Sequence, residues 1–471
     1  MIQFGTGGWR AIIGDEFTKA NVQLLVRALA RIMKDSGTWE QGFCIGYDRR
    51  FLSVEASKWA AEVMAAEGIH TYVLDREAPT PLIMFTVKKR ELEYGIAITA
   101  SHNPAIYNGI KVFTAGGRDA DETVTAEIEL YIADLSGQPV QAMDYEEGKA
   151  QGLIEEIDPF NDYIDSILSA VDAETIKRRR LKVALDPMYG VSQTSLRTIL
   201  LTTRCEVSVI HERHDTLFGG RLPAPNADTM RSLHAYVLEN YCDLGIATDG
   251  DADRIGVIDD RGQFLHPNRI LVLLYYYLVK YKGWRGPCVR NNSTTHLLDR
   301  VAESFGERCY EVPVGFKHIS SKMRETDAVI GGESSGGLTV RGHIPGKDGI
   351  YAAALLVEMI ATTGKRLSEL YEEITGIYGE ITQEEADFRL TPETRRSLTE
   401  LLFTDKLLPA FSLEVDKVSY LDGCKVLFKN GGWVVARFSG TEPLLRLCCE
   451  MPQQELTKEV VLQFAQFLNV I

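Results

Sequence analysis

The chain has 471 residues, more than one hydrophobic core can organise, so we expect several domains. It contains 51 Lys and Arg against 66 Asp and Glu, and the resulting net charge of −15 argues against a nucleic-acid partner or an anionic membrane surface. The longest apolar run, residues 270–279, is too short to cross a bilayer, and no apolar signal segment follows Met1. We therefore expect a cytoplasmic protein with no membrane partner.

Helices and strands alternate along the first part of the chain. Apolar periodicity predicts helices at 21–35, 54–67 and 81–89, and strands at 43–47, 70–74, 93–98 and 109–113. This alternation predicts βαβ units around a mostly parallel sheet. A polar stretch at 136–158 predicts a domain boundary.

The same alternation returns twice before the pattern changes. The second part has predicted strands at 181–186, 206–210 and 243–247 and a helix at 229–240. The third has helices at 269–281 and 295–305, and strands at 288–290, at 310–312 and before Gly331. After residue 382 the pattern is α+β, with helices at 391–402 and 454–468 and strands near 425–428 and 433–438.

The motif T-A-S-H-N-P at residues 99–104 directly follows the predicted strand 93–98. Asn103 and Pro104 predict a turn, so Ser101 should lie at the carboxyl end of a strand, where open α/β sheets bind ligands. A single serine in a polar loop usually has no such role. Three further motifs favour a functional reading.

The motif D-G-D-A-D-R at residues 249–254 places three aspartates two residues apart. In an extended segment Asp249, Asp251 and Asp253 would point to one side and repel each other unless a cation lay between them. Carboxylate oxygens suit Mg²⁺ better than Zn²⁺. A calcium EF-hand loop does not fit, because Arg254 stands where that loop needs glycine. A solvated acidic turn is the other alternative, which the apolar strands on both sides disfavour.

Two more motifs follow predicted strands. Residues 331–337 read G-G-E-S-S-G-G, which could bind sugar hydroxyl groups or could be a glycine-rich loop without a ligand. Residues 437–443 read R-F-S-G-T-E-P, which could hold a phosphate or form a plain hairpin turn. Weaker signals are G-T-G-G-W-R at 5–10 and G-F-K-H at 315–318.

In this order and spacing, the motifs resemble those of the α-D-phosphohexomutase family, which includes phosphoglucomutases and phosphomannomutases. The resemblance extends from F-G-T at 4–6 to R-F-S-G-T-E-P. It implies four domains around a central cleft: three similar α/β mixed-sheet domains and a C-terminal α+β phosphate-binding domain. The expected boundaries are 1–150, 151–262, 263–380 and 381–471.

The resemblance also implies roles for individual residues. Ser101 would be the phosphoserine that donates and receives the phosphoryl group. The three aspartates would bind Mg²⁺ together with Ser101. The other implied contacts are Arg10, Lys111 and Arg254 near the transferring group, Gly315, Lys317, Glu333 and Ser335 at the sugar, and Arg437, Ser439, Gly440 and Thr441 at the non-reacting phosphate.

Two positions depart from the family pattern. Gln3 stands where many members have Arg, and Gly337 stands where some have His. The second departure leaves the general acid or base open, with Lys111, Lys317 and His343 as candidates. It also makes the loop less like that of mannose and glucosamine enzymes, and the overall motif style is more like bacterial phosphoglucomutases.

The expected activity is therefore interconversion of glucose 1-phosphate and glucose 6-phosphate through a bisphosphate intermediate. A phosphomannomutase or a dual-specificity enzyme is the close alternative. A non-catalytic sugar-phosphate sensor and a phosphatase using the same serine are alternatives from other classes. The expected partner is a small hexose phosphate, and both a monomer and a dimer remain open.

Overall fold

The structure, a computed structural model, describes residues 2–440 and 443–470. Within them, four β-sheets follow one another along the chain, and each sheet with its helices defines one domain. The first sheet contains β1 (Trp9–Ile12), β2 (Phe43–Tyr47), β3 (Thr71–Leu74), β4 (Tyr94–Ile98), β5 (Tyr107–Thr114), β6 (Arg118–Asp119) and β7 (Ile154–Ile157). Its helices are α1 (Lys19–Ser36), α2 (Ser53–Ala66), α3 (Thr80–Lys89), α4 (Glu122–Leu135) and α5 (Tyr145–Ala150).

The first sheet has the order β1-β5-β4-β2-β3-β7, with β6 paired to β5. The pairs of β2 with β3 and β4 are parallel, whereas β5 runs antiparallel to β4 and β1, so the sheet is mixed. Every residue of β2 and β4 is buried, as expected for strands covered on both faces. β7 pairs with β3, so the first sheet continues beyond the expected boundary at residue 150. The sequence of β7, I-E-E-I, has no period-two alternation to reveal it.

The second domain has a five-stranded sheet in the order β12-β11-β10-β8-β9. Its strands are β8 (Lys182–Asp186), β9 (Glu206–Val209), β10 (Leu244–Thr248), β11 (Ile255–Ile258) and β12 (Phe264–Leu265), and its helices are α6 (Phe160–Ala170), α7 (Ala173–Arg179), α8 (Ser192–Thr202) and α9 (Arg231–Glu239). The metal-binding candidates lie in the turn that joins β10 to β11.

The third domain has a four-stranded sheet in the order β14-β13-β15-β16. Its strands are β13 (Cys288–Asn291), β14 (Cys309–Val312), β15 (Ile330–Gly332) and β16 (Leu338–Val340), and its helices are α10 (Pro267–Lys280), α11 (Leu297–Ser304), α12 (Phe316–Thr326), α13 (Gly349–Thr363) and α14 (Leu367–Tyr378). The predicted elements do not include α12, α13 or α14. Helix α13 is buried along residues 349–360, packs on helices of both the second and third domains, and therefore lacks the polar face that makes a helix easy to recognise.

The fourth domain has an antiparallel sheet in the order β17-β21-β20-β19-β18. Its strands are β17 (Thr382–Arg389), β18 (Val415–Ser419), β19 (Cys424–Phe428), β20 (Trp433–Phe438) and β21 (Leu444–Met451), and its helices are α15 (Pro392–Thr399) and α16 (Gln454–Phe467). One hydrophobic core cluster extends through the first three domains, from Cys44 to Ile381, whereas the fourth domain has a core of its own. The expected fold of three α/β domains and an α+β domain is confirmed. Among the described residues, no helix combines the length and apolar character needed to cross a membrane.

Candidate active site

Ser101 lies in the turn that leaves β4, as the sequence predicted. Its side chain is fully buried, and its backbone adopts a left-handed conformation with φ of 51°, which is uncommon for serine. The amide of Ser101 donates to Thr99 Oγ1 at 2.9 Å. Its hydroxyl Oγ donates to Asp249 Oδ2 of the second domain at 2.9 Å, which joins the first two motifs across 148 positions of sequence.

The buried side chain of Arg50 binds the backbone of the Ser101 turn. The guanidinium group of Arg50 donates to the backbone oxygens of Ser101 and Asn103 at 2.7 Å each, of Pro104 at 2.9 Å and of Tyr107 at 3.0 Å. Its counter-ion is Asp48, with Oδ2 at 3.3 Å from Nε. Asp48 also accepts from Thr99 Oγ1 at 2.6 Å.

Sequence reasoning missed Arg50 and Asp48, although both follow the predicted strand 43–47 at its carboxyl end. That position is the same signal that pointed to Ser101. What the sequence does not reveal is the partner: a buried arginine needs acceptors, and these come from a loop some fifty residues further along the chain.

The three aspartates converge by a different route from the one expected. The segment 249–253 is a turn and not an extended strand: Ala252 has a φ of 63°, and its amide donates to the carbonyl oxygen of Asp249 at 3.1 Å. Each aspartate offers one carboxylate oxygen within 4.8 Å of the others, and all three side chains are buried. The predicted cluster is thus present, but the extended geometry proposed for it was wrong.

These carboxylates fit a bound cation. Asp251 Oδ1 and Asp253 Oδ1 are buried without any hydrogen-bond partner. Burial and the charges of Asp251 and Asp253 raise the pKa of Asp249 well above its ordinary value, which reflects the cost of gathering three carboxylates in one place. A hard divalent cation bound by Asp251 Oδ1, Asp253 Oδ1 and Ser101 Oγ would offset the repulsion between the carboxylates. These residues therefore fit Mg²⁺.

Lys111 and Arg254 lie beside the aspartate cluster, and Arg10 contacts the Ser101 turn; the family resemblance implied a place near the transferring group for all three. Lys111 Nζ donates to Asp251 Oδ2 and Asp253 Oδ2 at 2.6 Å each. Burial alone would lower the pKa of Lys111, but the two carboxylates raise it above its ordinary value. Arg254 Nε lies 3.9 Å from Asp253 Oδ1.

Arg10 extends from β1 and donates from Nη1 to Asn103 Oδ1 at 2.6 Å. Burial, and after it the charge of Arg254, lower the pKa of Arg10 to about 10. The loop that precedes it depends on Gly8, which has a φ of 102° and where a Cβ would come within 2.5 Å of the Ile110 carbonyl oxygen.

His102 is a further neighbour of the serine. Its Nδ1 lies 3.4 Å from Ser101 Oγ. The charge of Arg254, followed by burial and the charge of Arg10, lowers the pKa of His102 well below its ordinary value, so the imidazole is neutral. A neutral ring beside the serine adds no positive charge to a region that already holds several cations.

The predicted sugar loop borders the aspartate turn. Ser335 Oγ donates to Glu333 Oε1 at 2.6 Å, and an isolated antiparallel bridge joins Arg254 to Gly337. A Cβ at Gly337 would lie 2.2 Å from Cδ of Lys347, so the stem of Lys347 fills the space that a side chain at position 337 would need. The Nζ atom of Lys347 lies 3.0 Å from Asp253 Oδ2.

Lys347 was not among the predicted site residues. Each of the three residues named from the sequence as acid or base candidates also has a carboxylate partner. His343 Nε2 lies 2.6 Å from Asp348 Oδ2, where Asp348 caps α13. Lys317 Nζ forms an ion pair with Glu122 Oε1 of the first domain. Lys111 is engaged with two of the aspartates.

The predicted phosphate loop begins at the end of β20. Arg437 Nε donates to Asp422 Oδ2 at 2.8 Å, and Ser439 is buried, with its amide donating to the Leu444 carbonyl oxygen at 2.9 Å. Thr441 lies outside the described residues. Gly440 faces the first domain, since a Cβ there would lie 3.7 Å from Thr6 Oγ1.

Thr6 connects three of the domains. Its Cγ2 lies 3.3 Å from the Cβ position of Gly315 in the third domain, and its hydroxyl faces Gly440 in the fourth. The glycine-rich segment 5–10 therefore lies between Gly315 of the third domain and Gly440 of the predicted phosphate loop. Described residues of the first, third and fourth domains thus approach one another at Thr6, and the hydrogen bond from Ser101 to Asp249 joins the first domain to the second.

Fold and site together define a phosphohexomutase-type protein with four domains. Models of the phosphoglucomutase/phosphomannomutase family match in order: α/β/α domain I over residues 1–138, domain II over 161–262, domain III over 266–378 and the C-terminal domain over 405–467. The chain belongs to this family.

Relatives with different names resemble the chain over nearly its whole length. A phosphoglucomutase/phosphomannomutase of Thermococcus kodakarensis is 29% identical over 97% of this chain and 96% of its own. A phosphoglucosamine/phosphogalactosamine mutase of Sulfurisphaera tokodaii is 29% identical over 97% of each chain. The crystal structure of a phosphomannomutase candidate from Thermus thermophilus is 30% identical, covers 99% of both chains and matches with a TM-score of 0.86.

Proposed function

We propose that this protein is a cytoplasmic mutase that interconverts glucose 1-phosphate and glucose 6-phosphate, with Ser101 as the carrier of the phosphoryl group. One observation supports this most directly: the buried hydroxyl of Ser101 lies 2.9 Å from Asp249, in a cluster with two carboxylate oxygens that lack partners. A nucleophilic oxygen beside a cation-binding cluster is the arrangement that phosphoryl transfer needs.

The reaction consists of two transfers through a hexose bisphosphate. In the first, a hydroxyl oxygen of the hexose phosphate attacks the phosphorus on phosphorylated Ser101, the bond from phosphorus to Oγ breaks, and the proton lost by the sugar hydroxyl is balanced by a proton gained at Ser101 Oγ. The bisphosphate then turns around in the cleft. In the second, Ser101 Oγ attacks the other phosphorus and loses its proton, the bond from that phosphorus to the sugar oxygen breaks, and that sugar oxygen gains a proton.

The residues around Ser101 stabilise charge during both transfers. Lys111 offers positive charge at a buried position and Arg10 and Arg254 offer it at partly buried positions, where it acts strongly on the moving phosphoryl group. Mg²⁺ bound by the three aspartates and an oxygen on Ser101 would supply further charge neutralisation. We assign these residues to the transferring end of the substrate.

Lys347 is our candidate for proton transfer at the sugar oxygen. Its stem fills the space that a side chain at position 337 would need, which is where some family members have the histidine, and its Nζ reaches the aspartate cluster. On the loop 331–337, the Glu333 carboxylate would accept hydrogen bonds from sugar hydroxyl groups, and the Ser335 hydroxyl would donate one.

The non-reacting phosphate would bind to Arg437, Ser439, Gly440 and Thr441. Its binding energy orients the reacting hydroxyl at the far end of the sugar, which speeds the transfer itself. Gly315 and Lys317 would contact the sugar from the third domain. Lys317 would then exchange its ion pair with Glu122 for the substrate.

Glucose is the favoured sugar because Gly337 removes the histidine that some mannose and glucosamine enzymes carry in this loop. Mannose phosphates are the close alternative. Amino-sugar phosphates are a second candidate, supported by the name of the Sulfurisphaera tokodaii relative. The discriminating experiment follows conversion of glucose, mannose and glucosamine 1-phosphates by phosphorus NMR, with Mg²⁺ and the matching 1,6-bisphosphate present.

The proposal predicts that glucose 1-phosphate is converted with the highest kcat/KM and that Ser101→Ala abolishes the conversion. A higher kcat/KM with an amino sugar or mannose would transfer the assignment to that sugar. Release of inorganic phosphate in excess of isomer would indicate a phosphatase. Binding without turnover of any of the sugars would indicate a sensor and contradict the proposal.

A further inference from the structure

Asp422 lies outside every motif of the sequence and bonds to two domains at once. It occupies the turn between β18 and β19 of the fourth domain. Its Oδ2 accepts from Arg437 Nε at 2.8 Å and from the amide of Val314 in the third domain at 2.8 Å. Its carbonyl oxygen also accepts from Asn292 Nδ2 of the third domain.

The turn that carries Asp422 packs closely against the strand that carries Arg437. Gly423, which follows Asp422, has a φ of 88°, and a Cβ there would lie 2.6 Å from the Ala436 carbonyl oxygen and 3.1 Å from the Arg437 Cβ. The turn therefore lies directly against β20, the strand that carries Arg437. This close packing places the Asp422 carboxylate beside the Arg437 guanidinium group.

Val314 directly precedes Gly315, and Gly315 and Lys317 are the residues proposed to contact the sugar from this segment of the third domain. One carboxylate oxygen thus bonds the arginine proposed for the distant phosphate and the backbone beside the loop proposed for the sugar. The side chains of Asp422 and Arg437 are 23% and 17% exposed, so both hydrogen bonds are partly shielded from water. Charged hydrogen bonds of this kind are stronger than neutral ones.

The contacts between the third and fourth domains near Asp422 are polar. The fourth domain has a separate hydrophobic core. The neighbouring contact is also polar: Lys425 Nζ, on β19, donates to the Asn292 carbonyl oxygen at 2.7 Å and to Glu311 Oε2 at 2.6 Å. The directional bonds of Asp422 and Lys425 therefore help to set how the third and fourth domains meet.

We propose that Asp422 is a positioning residue. It couples Arg437, the phosphate-binding arginine of the fourth domain, to Val314, which precedes Gly315 in the third domain. The inference rests on the proposed role of Arg437 in binding the non-reacting phosphate. Asp422 fixes the direction of the guanidinium group and the separation of the two loops, so the cleft presents a phosphate site and a sugar site at a set distance.

The test compares Asp422→Ala and Asp422→Asn with Asp416→Asn, a matched control that removes one charge from the exposed strand β18 of the same domain. Hydrogen–deuterium exchange of the peptide containing the Val314 amide reports the contact without any turnover. Steady-state kinetics with glucose 1-phosphate report the effect on Arg437. Mg²⁺ affinity shows whether the remote aspartate cluster is intact.

Asp422→Ala should speed exchange at Val314 at least about tenfold and raise KM about tenfold or more, the range for loss of a hydrogen bond to a charged group. Asp422→Asn keeps one acceptor oxygen and should show a smaller change in both. The control should leave exchange at Val314, KM and Mg²⁺ affinity unchanged. If Asp422→Ala folds poorly, Asp422→Asn carries the same comparison.

Unchanged exchange at Val314 in both Asp422 variants would overturn the contact itself. Faster exchange with an unchanged KM would overturn the coupling to Arg437. If the wild-type protein converts no sugar phosphate, the proposed function fails, while the exchange result still decides whether Asp422 joins the two domains. A fall in kcat and Mg²⁺ affinity together with a normal KM would indicate general damage and contradict the positioning role.

Discussion

Replacing Arg50 with methionine should destabilise the first domain by about 3–5 kcal/mol, the usual cost of stranding one partner of a buried ion pair. The Arg50 side chain is fully buried against Asp48, whose side chain is 1% exposed. Methionine fills most of the volume but donates no hydrogen bond. Four backbone oxygens of the Ser101 turn lose their donor, and the Asp48 carboxylate remains buried without its cation.

The assay is a thermal unfolding scan. One hydrophobic core cluster joins the first three domains, so we expect them to unfold together. At about 2.1 cal/mol/K per residue over roughly 380 residues, 1 kcal/mol shifts Tm by about 1 °C, so this transition should fall by roughly 3–6 °C. The double variant Asp48→Asn with Arg50→Met removes both charges and should be more stable than the sum of the two single changes predicts, because no unpaired charge remains. Turnover should also fall in Arg50→Met, since the Ser101 turn loses its support.

Two results would refute this reasoning. A Tm of Arg50→Met within about 1 °C of wild type would show that the buried pair contributes little, as is true of many exposed ion pairs. Strict additivity in the double variant would show that Arg50 and Asp48 do not act on each other. Arg50→Lys serves as the matched control, because it retains the charge while losing the planar fork that reaches several carbonyl oxygens at once.

Three further predictions concern Asp251, Lys347 and His266. Asp251→Asn should weaken Mg²⁺ binding at least about tenfold and lower kcat, measured by calorimetry and by turnover; unchanged affinity would place the cation elsewhere. Lys347→Met keeps the stem that packs on Gly337 and should lower kcat about 10²–10⁴-fold, whereas an effect on KM alone would exclude proton transfer by this residue. Burial and the charge of Arg269 lower the pKa of His266 to about 4, so between the ordinary His pKa of about 6.5 and that value the unfolded chain binds more protons. Stability of the third domain should therefore fall as pH drops from 7 to 5 in urea titrations, and His266→Asn, which keeps a capping side chain at the start of α10, should reduce that dependence by the contribution of His266.

The sequence predicted the features that are local in the chain. Ser101, the aspartates and Arg437 lie in short motifs next to apolar strands, and a motif together with a strand end is enough to predict a candidate site at the edge of a sheet. The fold class was predictable for the same reason, because three alternating α/β sections and an α+β section leave a clear pattern.

Features that depend on distant partners were not predictable in this way. Arg50 and Asp422 look like ordinary charged residues until the fold brings a loop from elsewhere against them. The stem of Lys347 occupies the space beside Gly337, ten residues away in sequence, and no local pattern at Lys347 indicates this. Helix α13, buried along nearly its whole length, has no polar face to reveal its period, and the aspartate cluster forms through a left-handed residue at Ala252 that the extended-strand prediction did not anticipate.

The central claim is that Ser101 carries a phosphoryl group between the two ends of a hexose. The most direct measurement is the mass of the intact protein and of the peptide containing Ser101 after incubation with glucose 1,6-bisphosphate and Mg²⁺, followed by addition of glucose 1-phosphate. We expect one phosphoryl group on Ser101, lost to the sugar as glucose bisphosphate and absent from Ser101→Ala. A protein that isomerises hexose phosphates while Ser101 never becomes phosphorylated, or while Ser101→Ala retains full activity, would contradict the account.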